Sequence, residues 1–239
     1  MNRTMLKAQS KRLMRSSNPN PIVAALFYVL VVYILNNLST RLTGVQIDME
    51  SYLNAAQNFD SAYFQNIIKD YNPSGTAVIL DIIIHLLLFI LQGGFIIFAL
   101  NTIRKSEEAS YYNLLDGFTH ALRIIVLNIL MIILISLQTL LLIIPGIIAF
   151  YKYRMAIYLL LDDPKKPIMN CILDSKDMMK GHKSELFSLD LSFIGWFILE
   201  LIPFVSIYVK PYTALTYAGY YDSLMATKNT EIYEDNNSI

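Results

Sequence analysis

The chain is poor in the residues that do most site chemistry. Its 239 residues include one cysteine, Cys171, and three histidines, His85, His120 and His182, far apart in sequence. A lone cysteine excludes a disulfide or a thiolate metal cluster within one chain. HExxH, GxSxG, P-loop and paired-cysteine motifs are missing, which lowers the expectation of a metal, phosphate-binding or acyl-transfer enzyme. Charge is scarce too. Asp, Glu, Lys and Arg make up 16% of the chain, against about a quarter in ordinary soluble domains. The formal net charge is zero, which argues against a general nucleic-acid binder, since those are usually basic. No cofactor and no metal is expected.

Hydrophobic residues make up 55% of the chain, and they come in runs. Residues 1–21 form a polar leader with Arg3, Lys7, Lys11, Arg12 and Arg15 and no acid. An apolar run at 22–38 follows, with no convincing small-residue cleavage site after it, so it reads as an uncleaved span. Residues 39–76 are mostly polar, but Met49, Tyr52, Leu53, Ala56, Tyr63, Phe64 and Ile67 recur at near-helical spacing. That pattern predicts an amphipathic helix on the membrane or capping the bundle, ended by "NPSG". Further spans are expected at about 77–103, 124–144, 147–161, 185–209 and 212–226, each judged against the roughly 20 apolar residues a bilayer requires. Gly93 and Gly94 permit a bend or a close helix approach. Residues 227–239 read as a polar, frayed tail. The expectation is therefore an all-α integral membrane bundle of about six spans, forming one membrane domain over 22–226. The fourth and sixth spans are short enough to be half-helices shielded by protein.

Lysine and arginine set the expected orientation. Besides the leader, Arg104, Lys105 and Arg123 lie in one connection, and Lys165, Lys166, Lys176, Lys180 and Lys183 in another. The opposite side has Arg41, Lys69 and Lys210. Both termini are expected in the cytoplasm of a cell membrane.

Within "IIPGIIAFYKYRMAIYLLL" (143–161), Pro145-Gly146 predicts a helix break at the outer face, and two bases follow inside the apolar run. Counting back from Leu161, Arg154 lies about 10 Å and Lys152 about 13 Å deep. Asp190 lies about 8 Å into the next span, at a depth that matches Arg154. An unpaired charge there costs roughly 3 kcal/mol on insertion scales. Glu200 and Asp81 are further candidates, within reach of Lys210 or His85. One reading makes these groups snorkelling or structural ion pairs. The other makes them the lining of a polar cavity, with Lys152 in the same pocket as Arg154. His85 alone reads as a hydrogen-bonded helix residue rather than a metal ligand.

The connection 162–184 reads as a helix capped by Asp163, with Pro164 in its first position and a stripe of Ile168, Cys171, Ile172 and Met179. Gly181 between Lys180 and Lys183 reads as its stop. It is either a packing elbow under the bundle or a basic interfacial helix. In the last span Tyr212, Tyr217, Tyr220 and Tyr221 fit a membrane interface, Ala214 and Ala218 allow close helix approach, and Asp222 sits near the inner interface.

Three motifs, "LLIIPGIIAFYKYRMAIYLLLDDP", "DSKDMMKGHKSELFSLDLSFIGWFIL" and "KPYTALTYAGYYDSL", resemble the bacterial membrane family catalogued as domain of unknown function 975. The resemblance covers about residues 77–225 and includes Pro145, Gly146, Gly181, Pro211 and Tyr212. It implies a multi-pass bacterial membrane protein and carries no catalytic residues or ligand. The chain departs from the family's pattern at "RKSEE" and at "IPFVSIYVK". The matching Asp190, Ser192, Gly195 and Trp196 are candidates for a shared packing or polar site.

Two classes of function remain open. One is a non-enzymatic membrane component, such as an accessory or immunity factor in peptide export or envelope stress, with another membrane protein or a peptide as partner. The alternative is a small transporter or lipid-binding protein with an intramembrane polar cavity. A lipid-modifying enzyme ranks third, because no nucleophile–base or metal constellation is present. The lipid bilayer is the partner common to all three, and no nucleic acid is expected.

Overall fold

A computed structural model describes residues 3–44, 54, 57, 58, 61–63, 65, 73–105, 108–200 and 202–237. All regular structure among them is helical. The main helices are α1 (Arg3–Ser16), α2 (Pro21–Thr43), α3 (Gly75–Arg104), α4 (Asn113–Thr119), α5 (Ala121–Leu141) and α6 (Ile143–Tyr153). They continue with α7 (Ala156–Asp162), α8 (Ile168–Met178), α9 (Lys183–Leu191), α10 (Ile194–Leu199) and α11 (Pro203–Asn237). Among the described residues, four stretches are long and apolar enough to cross a membrane: α2, α3, α5, and α6 with α7 as Ile143–Asp162. The amphipathic helix expected over 39–76 lies largely outside the described residues, as does part of "RKSEE".

The chain divides into two compact units, one comprising Met1–Val29 and Phe89–Ile239, the other Leu30–Leu88. In the smaller unit, Ser39 on α2 donates its hydroxyl to Asp81 on α3. His85 Nδ1 donates to the Asp81 carbonyl one turn back at 2.9 Å and lies 3.5 Å from its carboxylate. So Asp81 does meet His85, on a single helix, which leaves His85 the helix-bonded residue its surroundings suggested. Ser74 accepts the Ala77 N–H at 3.2 Å and caps the start of α3.

The larger unit is built around α11. Residues 215–221 are buried without interruption. A helix buried on every side shows no amphipathic stripe, which is why α11 mixes tyrosine, threonine and alanine. It corrects three expectations. First, 212–226 is not a separate span: one helix runs from Pro203 to Asn237, through the tail expected to fray. Second, Pro211 lies inside that helix rather than at a turn. Its missing N–H costs a backbone bond, and the Thr213 hydroxyl donates to the Val209 carbonyl (3.0 Å) within this turn. Third, the expected span 185–209 is three pieces, because the chain turns at 192–193 and again near 202. α9 and α10 are 9 and 6 residues long, too short to cross alone at 1.5 Å per residue.

The break after α5 comes one turn earlier than expected. Leu142 is extended (φ −160°, ψ 145°), and Pro145 and Gly146 sit in the first turn of α6. Proline is tolerated there because first-turn N–H groups have no helical partner. Gly146 serves the return: a Cβ on it would lie 2.1 Å from Thr139 Oγ1 and 2.8 Å from Thr139 Cα. The α5–α6 hairpin thus closes backbone against backbone. Its tip, Leu140 to Ile144, is 67–84% exposed and wholly apolar, as a lipid-facing turn would be.

α8 starts at Ile168 after Pro167, not at Asp163. Two further prolines account for the delay, since Pro164 and Pro167 restrict the residues before them to extended backbone. The Asp163 carboxylate accepts the Lys165 N–H instead (3.0 Å). Cys171, Ile172, Met178 and Met179 are buried, so α8 is a packing elbow against α5, α6 and α7. Burial also pushes the Cys171 thiol pKa up. Gly181 adopts φ +80° just past the end of α8, the stop expected of it.

The basic leader is a packed helix. Leu6, Ser10, Leu13 and Met14 of α1 are buried, and the hydroxyls of Ser10 and Thr216 on α11 meet at 3.0 Å. Two of its cations, Arg3 and Lys7, reach across to α9. Lys7 Nζ donates to the Ser192 carbonyl (2.7 Å) and Arg3 Nη1 to the Ser188 carbonyl (3.1 Å), at the C-terminal end of α9. Unpaired carbonyls and the negative end of the helix dipole favour cations there. Lys7 also stands 4.0 Å over the Phe193 ring. Burial, with Lys11 and Arg3 nearby, lowers its pKa from the ordinary lysine value.

Candidate functional site

The two bases of the quoted run separate at the junction of α6 and α7. The helix is interrupted at Arg154 and Met155, and buried Ser175 of α8 repairs the gap. Its hydroxyl donates to the Lys152 carbonyl (3.0 Å) and accepts the Met155 N–H (3.2 Å). Non-helical backbone at membrane depth requires such internal partners.

Arg154 turns toward α9 and α11. Its Nη1 lies 4.0 Å from Asp190 Oδ2, with the two side chains 26% and 18% exposed. The sequence therefore matched the partners, but the contact is a loose one. Asp190 is held more tightly by two tyrosines, neither of which the sequence paired with it: Tyr217 donates to Oδ1 at 2.6 Å and Tyr151 to Oδ2 at 3.0 Å. Spacing gave the only clue to Tyr151, which lies three residues before Arg154. The guanidinium carbon lies 4.9 Å from the Phe150 ring centroid and 4.8 Å from that of Tyr217. Cation–π contact offsets charge through the ring face, but it accepts none of the five N–H donors. Among the described residues the Arg154 guanidinium has no hydrogen-bond acceptor.

Arg154 lines a cavity of about 450 Å³, within the larger unit. All four candidate spans contribute to its wall, through Tyr28, Phe89, Gln92, Phe95, Asn128, Phe150 and Ile157, and α10 and α11 add Phe197, Lys210, Thr213 and Tyr217. The wall is mostly apolar and aromatic, with a few convergent polar groups, as small-molecule sites of roughly 300–1,000 Å³ usually are. Its two cations are Arg154 and Lys210, and among the described residues no carboxylate lines it. Lys210 is already neutralised, since its Nζ lies 2.5 Å from Glu200 Oε1. Glu200 thus meets the partner expected for it, away from the cavity wall.

Lys152 does not share this pocket. Its ammonium stands 4.9 Å over the Tyr153 ring. Lys152 and Arg154 are two residues apart, and at about 100° per residue such neighbours face different ways. Ser192 contributes its carbonyl to Lys7. Gly195 has open space where a Cβ would be, so it serves no close approach. Trp196 packs against Tyr208 and Tyr212, at 5.8 and 5.7 Å between centroids, which accounts for an indole well inside the chain's apolar region.

No curated protein and no solved structure matches the chain. Residues 132–228, which hold Tyr151, Arg154, Asp190, Glu200, Lys210 and Tyr217, match the model of the family described as protein of unknown function (DUF975), the family that the motifs of the sequence resemble.

Proposed function

We propose that this chain is a membrane protein that holds an amphipathic small molecule in an intramembrane cavity, as a lipid-binding protein or a small transporter. The observation that carries this reading is the cavity, apolar in most of its wall and lined by Arg154, whose guanidinium has no hydrogen-bond acceptor among the described residues. An accessory or immunity factor acting only through a protein partner would have no need of such a space. The reading assigns the chain no catalytic step. It keeps six crossings, with α9 and α10 together making the fifth, their exposed Phe187, Leu191, Ile194 and Ile198 facing lipid, α11 making the sixth inside the bundle, and both termini on the cytoplasmic side.

The test uses the full chain purified in a nonionic detergent. Mass spectrometry of the extracted protein should find a stoichiometric amphiphile, and Ala214→Phe, which fills the cavity wall, should lose it. A wild-type protein free of any amphiphile, or a variant retaining it equally, would overturn the reading. Orientation has its own check. Asn54→Cys in a Cys171→Ser background should label from outside the cell, and labelling solely from the cytoplasm would reverse the topology.

A further inference from the structure

We infer that the cavity selects an amphiphile with an anionic oxygen headgroup, a carboxylate or a phosphate, seated on Arg154. This deepens the proposed function and rests on it. Three observations point the same way.

The first is the division of labour around Asp190. A carboxylate that paired with Arg154 by two parallel hydrogen bonds would use up the donor fork. Asp190 stands 4.0 Å off, and each of its oxygens accepts one hydroxyl, from Tyr151 and from Tyr217. It offsets the charge of Arg154 and leaves the donors open.

The second is the aromatic packing. The rings of Phe150 and Tyr217, 4.9 and 4.8 Å from the guanidinium carbon, hold the group in place. A planar guanidinium fixed in this way is preorganised for a two-oxygen anion.

The third is the sign of the wall. Arg154 and Lys210 line it, and among the described residues no carboxylate does. Lys210 is committed to Glu200 at 2.5 Å, so one cation, Arg154, remains to meet one anionic head. A cationic head would find no counter-charge on the wall. A tail would lie against Phe89, Phe95 and Ile157, which line the same space.

The experiment measures displacement of cis-parinaric acid from the full chain in nonionic detergent. The competitors are palmitate, hexadecyl phosphate, methyl palmitate and hexadecylamine, with inorganic phosphate as a fifth. Palmitate and hexadecyl phosphate should compete at least about tenfold better than the ester and the amine, the lower range for a hydrogen bond to a charged group. Arg154→Gln should bring the two anions down to the level of the ester, and Arg154→Lys should retain part of the preference. The analogue series on the wild-type protein needs no variant to fold. Equal competition by all four chains overturns the anionic assignment and leaves the cavity reading standing. Displacement by inorganic phosphate alone overturns the amphiphile and assigns the site to a free anion. Failure of every chain to bind, together with a protein free of co-purified amphiphile, removes both readings.

Discussion

Gly94→Ala and Gly117→Ala are each expected to destabilise the protein by about 3 kcal/mol, the upper end of what overpacking normally costs. α3 and α4 cross there with almost nothing between them. A Cβ on Gly94 would lie 2.1 Å from the Leu114 carbonyl oxygen and 2.7 Å from its carbon. A Cβ on Gly117 would lie 2.2 Å from the Ile90 carbonyl oxygen and 2.8 Å from Gly94 N. The obstacle is backbone on both sides, so no rotamer change relieves it and the helices must separate. Two other glycines set the scale. At Gly93 the nearest atom is the flexible Ile124 Cδ1 at 2.6 Å, so alanine should cost much less. At Gly195 there is open space, and alanine should be neutral or stabilising by up to ~1 kcal/mol through helix propensity. Thermal unfolding of the four variants in detergent tests this order. If Gly94→Ala melts with Gly195→Ala, the crossing is not as close as described. The double variant should cost less than the sum, because one separation relieves both clashes.

The second large effect is expected at Arg104. This last residue of α3 joins the end of α7 to the middle of α11. Its Nη1 and Nη2 donate to the Asp162 carboxylate of α7 at 2.5 and 3.2 Å. Nε and Nη2 donate to Asp222 of α11 at 2.9 and 2.7 Å. Tyr221 adds its hydroxyl to Asp162 at 2.8 Å. The three charged side chains are 35%, 24% and 27% exposed, so solvent screens part of the interaction. Arg104→Gln leaves two carboxylates turned to one place with no cation between them. About 2 kcal/mol of stability should go, within the range for hydrogen bonds to charged groups after that discount. Arg104→Lys should recover little, because one ammonium cannot reach two carboxylates with a planar fork. Adding Asp222→Asn to Arg104→Gln should recover part, since the like-charge contact is then gone. A lysine variant as stable as the wild type would show that the clamp is only a local charge effect.

Part of this site was open to arithmetic along the chain. Rise per residue from the expected ends brought Arg154 and Asp190 to similar depth, and they lie 4.0 Å apart. The same arithmetic put Lys152 with them, which failed because depth says nothing about direction around the helix. It also could not see Ser175 closing the break between Lys152 and Met155, or Tyr151 and Tyr217 occupying Asp190, since those contacts join residues 20 to 39 positions apart.

The sequence by itself determined that the chain is helical and apolar enough for a membrane, and where four candidate spans run. α2, α3, α5 and α6–α7 are long hydrocarbon runs, and in lipid such a run must satisfy its backbone internally. That is a local demand, met within one segment, so composition reveals it. Only the tertiary structure decided the place of α1 and α11. Hydropathy finds helices that face lipid, whereas α11 is wrapped by protein along 215–221 and has no such face to show. The cations of α1 likewise look solvated in a charge count. For Arg3 and Lys7 the partners are the Ser188 and Ser192 carbonyls and the Phe193 ring, and these come within reach only once α9, α10 and α11 have packed together.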